Sequence, residues 1–537
     1  MCNATPAPNL RVHHHMSVMS RPKPGYQPSL PAFLFLILAL LLPLFDGESM
    51  INADSDPARH LRHGETILSQ GAVIRKDAFS WTRPGEPFLG FEYGSQVLIA
   101  LAHRAGGTPG MVILTSLVIA GTMAGLASWL LRRGVDPLLA VLATTSSALL
   151  TSLHWIARPH VFSWPLILVL FFWLERDRRP PLWAFALLFT VWANLHGAFI
   201  FGWVLIGMYL IGHLLEYATA RDPDLRRSEL AAARTLGTVA VVTVLATMIN
   251  PYGWHTTWHV VEFFRIPWLK ELTQEFQSPD FNTRDLKPFL AALMCMMVVL
   301  SFRPRPRWTH LVCIVGTAGM GLIAQRNITQ FGLIAVPLLA LLLNDPWNRH
   351  VGVTGFARRF ALGATTGRNA PWMALVSALL IVFALSHGRI GNHQVLADGW
   401  SPQQYPVAAA EWGRRNEVRG RVFNEMIWGG YLVWAWPELK IFLDGGTDFF
   451  GGRIMHVHSW ISTLQPGWRD SMAAFDVNLA LLPPRGALAA ELLRDPEWVA
   501  RYCDGTAVFL SRAGAITPSD SVPRSRCVPA VRQVGGP

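Results

Sequence analysis

Charge is what this sequence has least of: Asp, Glu, Lys and Arg make up 15% of its 537 residues, against 51% hydrophobic residues and 22 tryptophans. With a mean hydropathy of +0.30, that balance excludes a string of ordinary soluble domains, which the length alone would allow. Cysteine is scarce as well. The chain has five, with no CxxC and no Cys/His spacing of a zinc site, so no metal cage is legible in it. Only Cys503 and Cys527 lie in the polar C-terminal part, and they stand there either as a disulfide or as two free thiols. No internal repeat stands out.

What the chain does have is long apolar runs. A bilayer core about 30 Å thick takes about 20 apolar residues per helix. On that measure the spans fall near 30–46, 108–131, 135–155, 159–174, 181–195, 198–216, 232–249, 287–302, 308–324, 328–343 and 371–388, about eleven in all. The net charge of +11 comes from basic residues in short connectors between these runs. That is the pattern of membrane topology, not of a nucleic-acid footprint.

Counting Lys and Arg in alternate connectors orients the chain. One set holds Arg11, Arg21 and Lys23; Arg132 and Arg133; Arg176, Arg178 and Arg179; Arg221, Arg226 and Arg227; Arg303, Arg305 and Arg307; and Arg349, Arg358, Arg359 and Arg368. The other set holds almost none beyond Arg158 and Arg326. The basic set is expected to be cytoplasmic, with 1–29 as a cytoplasmic segment. The same alternation splits 181–217 into two spans reversing at "NLHGA". The first span, lacking a small-x-small cleavage pattern after Phe45, reads as an uncleaved anchor.

Two outer segments exceed simple turns, 46–107 and 250–286. In the first, "DPARHLRHGETILSQG" opens with Asp and Pro, suited to a helix N-terminus, and closes on Gly, while "EYGSQVLIALAHRAGG" carries one apolar face. Both read as helices at the membrane surface. Beyond 389 no further span occurs. Short runs "RVFNE", "YLVWAW", "KIFLD", "VNLALL" and "AVFLS" read as strands alternating with helices near 403–416 and 486–494. The expected architecture is therefore mainly α, a polytopic helical bundle over 30–388 with a small extracytoplasmic α/β domain over 389–537.

On this topology Asp54, Asp56, His60, Glu92, Arg158, His160, Asn194, His196, Asn250, Tyr252, Glu275, Arg326 and Asn327 fall in outer segments or at outer ends of spans. Ionisable residues at such positions are costly and point to one shared site. Blander accounts exist for each: headgroup contacts for Arg158 and Arg326, a turn for His196, a helix stop for Asn250 before Pro251. For "DSD" (Asp54 to Asp56) one carboxylate is explained as a helix cap. Two beside lipid exceed that need, and suit either a general base or a shared divalent cation such as Mg²⁺ or Mn²⁺.

An apolar first span, an acidic motif on a surface helix of the first outer loop, many further spans and an outer C-terminal domain together resemble the GT-C glycosyltransferases. More closely, the chain resembles a large bacterial group of GT-C-like membrane proteins. The matching positions are Asp56; His60 and Leu61; Gly64, Ile67 and Leu68; Asp77, Phe79 and Ser80; Glu92 and Tyr93. The similarity continues through "ARPH", "NLHGAF", "NPYG", "EFQSPDF", "QRN" and "GRVFNEMIWGGYLVWAWPELKIFLDGGTDFFGG". The chain departs from the group at Pro57, Ala58 and Arg59, where aromatic residues commonly precede the His.

The resemblance implies transfer of a sugar from a polyprenyl-phosphate donor to a glycan, glycolipid or protein acceptor on the outer face of a bacterial inner membrane. It implies Asp56 as first choice of base and Asp54 as second, Arg326 and Arg158 on the donor phosphate, and Glu92 and His60 orienting base or sugar. His160, His196, Tyr252 and Glu275 complete the expected substrate-binding set. Asp444 and Asp448 of "FLDGGTD" read first as solvated acids in a Gly-rich turn, with acceptor binding as the alternative. A lipid-linked sugar transporter would place carboxylates at the bilayer midplane, which this arrangement does not; a non-catalytic polysaccharide-assembly protein is the other alternative.

Overall fold

The computed structural model describes residues 27–263, 265–266, 273–301, 305–350, 369–515 and 521–527. Most of the segment 1–29, the basic residues Arg303, Arg358, Arg359 and Arg368, and positions 267–272 of the second outer segment lie outside the described residues.

Each apolar run read from the sequence is occupied by a helix. In chain order these are α1 (Leu30–Phe45), α2 (Gly47–Asn52), α3 (Asp56–Gln70), α4 (Tyr93–Arg132), α5 (Pro137–Thr151), α6 (Ser163–Leu174), α7 (Leu182–Leu195), α8 (Phe199–Thr219), α9 (Pro223–Ala246), α10 (Trp254–Phe263), α11 (Lys287–Ser301), α12 (Trp308–Ile323), α13 (Ile328–His350) and α14 (Ala370–Leu385). The stretches Tyr93–Arg132, Pro137–His154, Phe199–Thr219, Pro223–Ala246 and Gln325–Arg349 are long and apolar enough to cross a membrane. Leu187, Val241, Ile249, Met297 and Val382 are each more than half exposed on the outer faces of the bundle. Apolar side chains exposed in such numbers are suited to contact with lipid.

Two local features fix the bundle near its polar end. Helix α4 breaks at Gly106 and Gly107, where Gly107 takes φ 63° and a side chain would fall on the Asp398 carboxylate. Asp398 accepts from the Thr108 N–H at 3.0 Å and so caps the second half of α4. Between α7 and α8 the chain reverses within three residues. A Cβ on Gly202 would lie 2.7 Å from Phe189 Cζ, whereas thirteen residues of continuous helix would separate the two by about 20 Å.

The bundle has two polar ends. At one, three arginines from basic connectors find partners: Arg133 pairs with Glu175 at 2.9 Å, Arg307 with Glu229 at 3.4 Å, and Arg179 donates to His213 at 3.0 Å. At the other gather the long loops and the candidate site.

Beyond α14 and a two-stranded ribbon, β1 (Arg389–Ile390) with β2 (His393–Gln394), comes an α/β unit: α15 (Val407–Arg415), β3 (Gly420–Asn424), α16 (Gly429–Ala435), β4 (Leu439–Lys440), α17 (Thr447–Ser462), α18 (Trp468–Ala474), β5 (Leu479–Leu482), α19 (Ala487–Arg494), β6 (Trp498–Cys503), β7 (Val508–Arg512) and α20 (Arg524–Cys527). The sheet order is β4-β3-β5-β7-β6, parallel around β3 and antiparallel beyond β5. Cys503 and Cys527 are joined as a disulfide, Cα–Cα 5.5 Å.

Two strand expectations need correction. "YLVWA" is helical, in α16; the run is continuously apolar and mostly buried, a case in which periodicity does not separate strand from helix. Of "KIFLD" only Lys440 pairs with β3, next to Leu439. After that the Asn424 side chain takes over the ladder, accepting from Phe442 N–H at 2.8 Å and donating to Leu443 C=O at 2.9 Å. Strand β6, "WVARYC", was not anticipated.

The first outer segment continues the sheet. Ser80 bridges Ile441, the Trp81 N–H donates to Ile441 C=O at 3.0 Å, and Trp81 Nε1 donates to Val422 C=O at 3.0 Å. The α/β unit is thereby sutured to the loop that carries "DSD".

Candidate active site

Helix α3 positions the acidic motif. Asp56 sits in its first turn, Pro57 follows where the missing N–H costs nothing, and Gly71 closes it in the left-handed conformation at φ 65°. The face bearing Asp56, His60, His63, Gly64 and Ile67 is buried. Gly64 is required there because its Cα packs against the Gln96 backbone of α4, leaving no room for a methyl group.

Arg158, from the connector between α5 and α6, spans both aspartates. Its guanidinium lies 2.7 Å from Asp54 Oδ2 and 2.6 Å from Asp56 Oδ2. Arg59 takes the other Asp56 oxygen at 2.9 Å and approaches Asp444 Oδ1 at 4.0 Å. Burial alone would raise the Asp56 carboxyl, but Arg158 and Arg59 outweigh it and hold the group well below the ordinary carboxylate range. Asp54, with 29% of its side chain exposed, is raised by burial and by Asp56, against Arg158. Of the two, Asp56 is an ionised anchor and Asp54 is the one that faces outward.

The α/β unit supplies a wall. Asp444 is buried and, with burial opposed by Arg59 and the Gly446 N–H, rises to about 6. A Cβ on Gly445 would lie 2.5 Å from Asp56 Oδ1, so "DGGTD" is a close approach of backbone to the site as well as a turn. Asp448 accepts from His259 Nε2 of α10 at 2.9 Å. The reading of these acids as solvated is overturned for Asp444, which is buried, while Asp448 keeps 26% of its side chain exposed and is paired with His259. Burial of the residues around them decides it, and nothing local in the sequence announced that burial.

A second group adjoins the first. Glu92, just before α4, has His196 Nε2 at 3.4 Å from one oxygen and His60 Nδ1 at 3.8 Å from the other. His196 Nδ1 in turn meets Ser163 Oγ at 2.9 Å. Burial, opposed by Arg59 and Arg158 and reinforced by Asp448 and Asp56, raises Glu92 to about 7. His160 donates to His154 C=O at 2.7 Å and its ring centre lies 6.4 Å from that of His196.

Arg326 and Glu275 form a third, looser pair at 3.7 Å, with the Arg326 guanidinium over Phe276 at 4.4 Å. Each side chain of that pair keeps nearly a third of its surface open. Tyr252 stands apart from the carboxylates. Its hydroxyl donates to Ile74 C=O at 2.9 Å and Arg75 covers its ring, so it fastens the two long loops together. Arg59, His259 and Ser163 belong to the site although the sequence did not single them out as binding residues, and Asp444 and Asp448 join it, for which acceptor binding was the secondary reading; of the first three only Arg59, three residues after Asp56, carried a local signal.

Arg158 occupies the space between Asp54 and Asp56 that a shared divalent cation would need. Among the described residues no group of three His, Cys, Asp or Glu side chains is placed to hold a metal ion. The arrangement does not fit Mg²⁺ or Mn²⁺ at this pair.

Neither a family model nor a curated protein matches the sequence. Solved structures do match. The oligosaccharyltransferase of Archaeoglobus fulgidus in the apo form aligns over 91% of this chain and 74% of that one, at 11% identity and TM-score 0.51. The same enzyme tethered to an acceptor peptide containing the NVT sequon aligns over the same shares, at 14% identity and TM-score 0.51. The fold is GT-C-like. ArnT from Cupriavidus metallidurans bound to undecaprenyl phosphate covers 91% of this chain and 99% of its own, at 13% identity and TM-score 0.49. Identities this low establish architecture only, and within the GT-C-like fold the chemistry rests on the side chains described above.

Proposed function

We propose that this chain is a membrane glycosyltransferase that moves a sugar from a polyprenyl-phosphate donor to a glycan, glycolipid or protein acceptor on the outer face of a bacterial inner membrane. The observation that carries the reading is the Asp54–Arg158–Asp56–Arg59 array, buried where apolar helices end and a small α/β unit closes over them in a GT-C-like fold. In this reading about eleven helices span the bilayer, the N-terminus is cytoplasmic, and the bundle over 30–388 carries a periplasmic domain over 389–537.

Roles follow from which groups are already committed. Arg158 spends its fork on two carboxylates, so Arg326, held only at 3.7 Å by Glu275, is the guanidinium for the departing phosphate; its charge is permanent and its geometry matches phosphate oxygens. Asp54 meets the acceptor from its exposed edge, and Asp56 fixes Arg158 and Arg59. His60, His160 and His196 line the sugar side with neutral imidazoles.

The test compares membranes of cells lacking the chain, complemented with wild type, Asp54→Asn or Asp56→Asn, by mass spectrometry of glycolipids and polyprenyl-phosphate sugars. Loss of one sugar mass from a glycan, with build-up of its lipid-linked donor and only partial rescue at best by either well-expressed variant, is expected. Full rescue by both variants would remove the aspartates from the reaction and favour transport or assembly.

A further inference from the structure

The first outer segment gives the site three carboxylates, Asp54, Asp56 and Glu92, and they are not equivalent. Both aspartates have an arginine within 2.9 Å. Glu92 has, among the described residues, only the two imidazoles for ion-pair partners, and 19% of its side chain is exposed. A carboxylate held by a guanidinium is a weak base; one facing neutral rings is a stronger one.

The surrounding hydrogen bonds fix which hydrogen faces Glu92. His196 Nδ1 accepts from the Ala198 backbone N–H at 3.2 Å. Trp192 Nε1, which can only donate, gives its hydrogen to Ser163 Oγ at 2.9 Å, leaving the Ser163 hydroxyl hydrogen for the same Nδ1 at 2.9 Å. With two donors aimed at Nδ1, the imidazole proton resides on Nε2, the ring atom 3.4 Å from Glu92 Oε1, a contact that lacks hydrogen-bond alignment. Trp192, Ser163 and His196 are thus a hydrogen-bond chain that presets the His196 tautomer beside Glu92, whose other oxygen lies 3.8 Å from His60 Nδ1. His60, within 3.8 Å of Glu92, lies four residues after Asp56 on the buried face of α3, so Glu92 adjoins the aspartate pair.

We propose that Glu92 is the catalytic base of this site and takes the proton of the acceptor hydroxyl. The inference rests on the transferase reading. The acceptor oxygen forms its bond to the anomeric carbon as its hydrogen passes to Glu92, while the bond from that carbon to the phosphate oxygen breaks and its electron pair leaves with the polyprenyl phosphate. An ionisation near 7 suits a base working at neutral pH. The charged and titratable groups facing Glu92 are Arg59, His60 and Asp56 on α3, Arg158, His196, Asp448 on α17 and His259 on α10.

The experiment follows transfer of the native sugar mass at pH 5.5 to 8.5 in membranes carrying wild type, Glu92→Gln, Glu92→Asp, His196→Asn or Asp54→Asn at matched expression. Wild-type rate rises with pH through about 7 as Glu92 ionises. Glu92→Gln loses about 100-fold or more and the remaining rate has no such limb; Glu92→Asp keeps a limb at reduced rate. His196→Asn, which removes a neutral ring and no charge from beside Glu92, lowers the rate with the limb in place, as does Asp54→Asn. A wild-type limb preserved in Glu92→Gln, or removed by Asp54→Asn instead, overturns the inference alone. Absence of any wild-type transfer overturns the transferase reading, and the inference with it.

Discussion

Replacing Arg158 by Gln tests the charge array most directly. In the wild type one guanidinium neutralises two carboxylates, one of them with only 5% of its side chain exposed. Removing one partner of a buried pair costs about 3–5 kcal/mol, because the other charge is left uncompensated. Asp54 is partly open to solvent and contributes little of this, and Arg59 still holds one Asp56 oxygen, so the loss belongs at the lower end, about 3 kcal/mol. The pH dependence gives the sign. The wild-type Asp56 carboxyl is depressed, so its contribution is complete above the unfolded value near 4 and is lost as pH falls through the folded one. In Arg158→Gln the orphaned carboxylates rise in pKa instead; the defect is full at pH 8 and is relieved at pH 5 as they take up protons. Thermal aggregation followed by size-exclusion in detergent at both pH values reads this out. Arg158→Lys recovers part of the loss, as one ammonium cannot reach both oxygens in a fork, and adding Asp54→Asn with Asp56→Asn to Arg158→Gln recovers more. An Arg158→Gln protein as stable as wild type at pH 8, or equally destabilised at both pH values, would refute the reasoning.

Two further changes probe the wall of the site. Gly445→Ala puts a methyl group 2.5 Å from Asp56 Oδ1 and is expected to cost about 1–3 kcal/mol through forced displacement; Gly505→Ala, with open space around its Cβ, serves as control, and equal stability of the two variants would contradict the packing. Reducing or replacing the Cys503–Cys527 disulfide, which closes 24 residues, is expected to destabilise the α/β unit by about 3 kcal/mol. Limited proteolysis with and without reductant reads that loss, and identical cleavage in both would count against it.

Much of the fold could be read from the sequence because its strongest signal is one-dimensional. An apolar run such as 328–343 declares a helix whatever it packs against, and "DPARHLRHGETILSQG" carries both its start and its stop. The site was legible only in part, for a related reason. Asp56 and His60 share a helix face and announce themselves together, but the partner of Asp54 lies 104 residues away. No spacing within "ARPH" says that its arginine crosses to the first loop. The glycines of "DGGTD" gave the sharpest misdirection. Turn chemistry accounts for them locally, so nothing called for the second account, that Gly445 is small because Asp56 is there. Glu92 was ambiguous in the same way: at a helix start an acid is expected for the dipole alone. What separates it from the aspartates is the absence of a guanidinium at its oxygens, set by three other segments that end beside it. Composition and periodicity therefore reach as far as the scaffold, and the ranking of carboxylates by basicity, on which the chemistry depends, exists only once those segments are folded together.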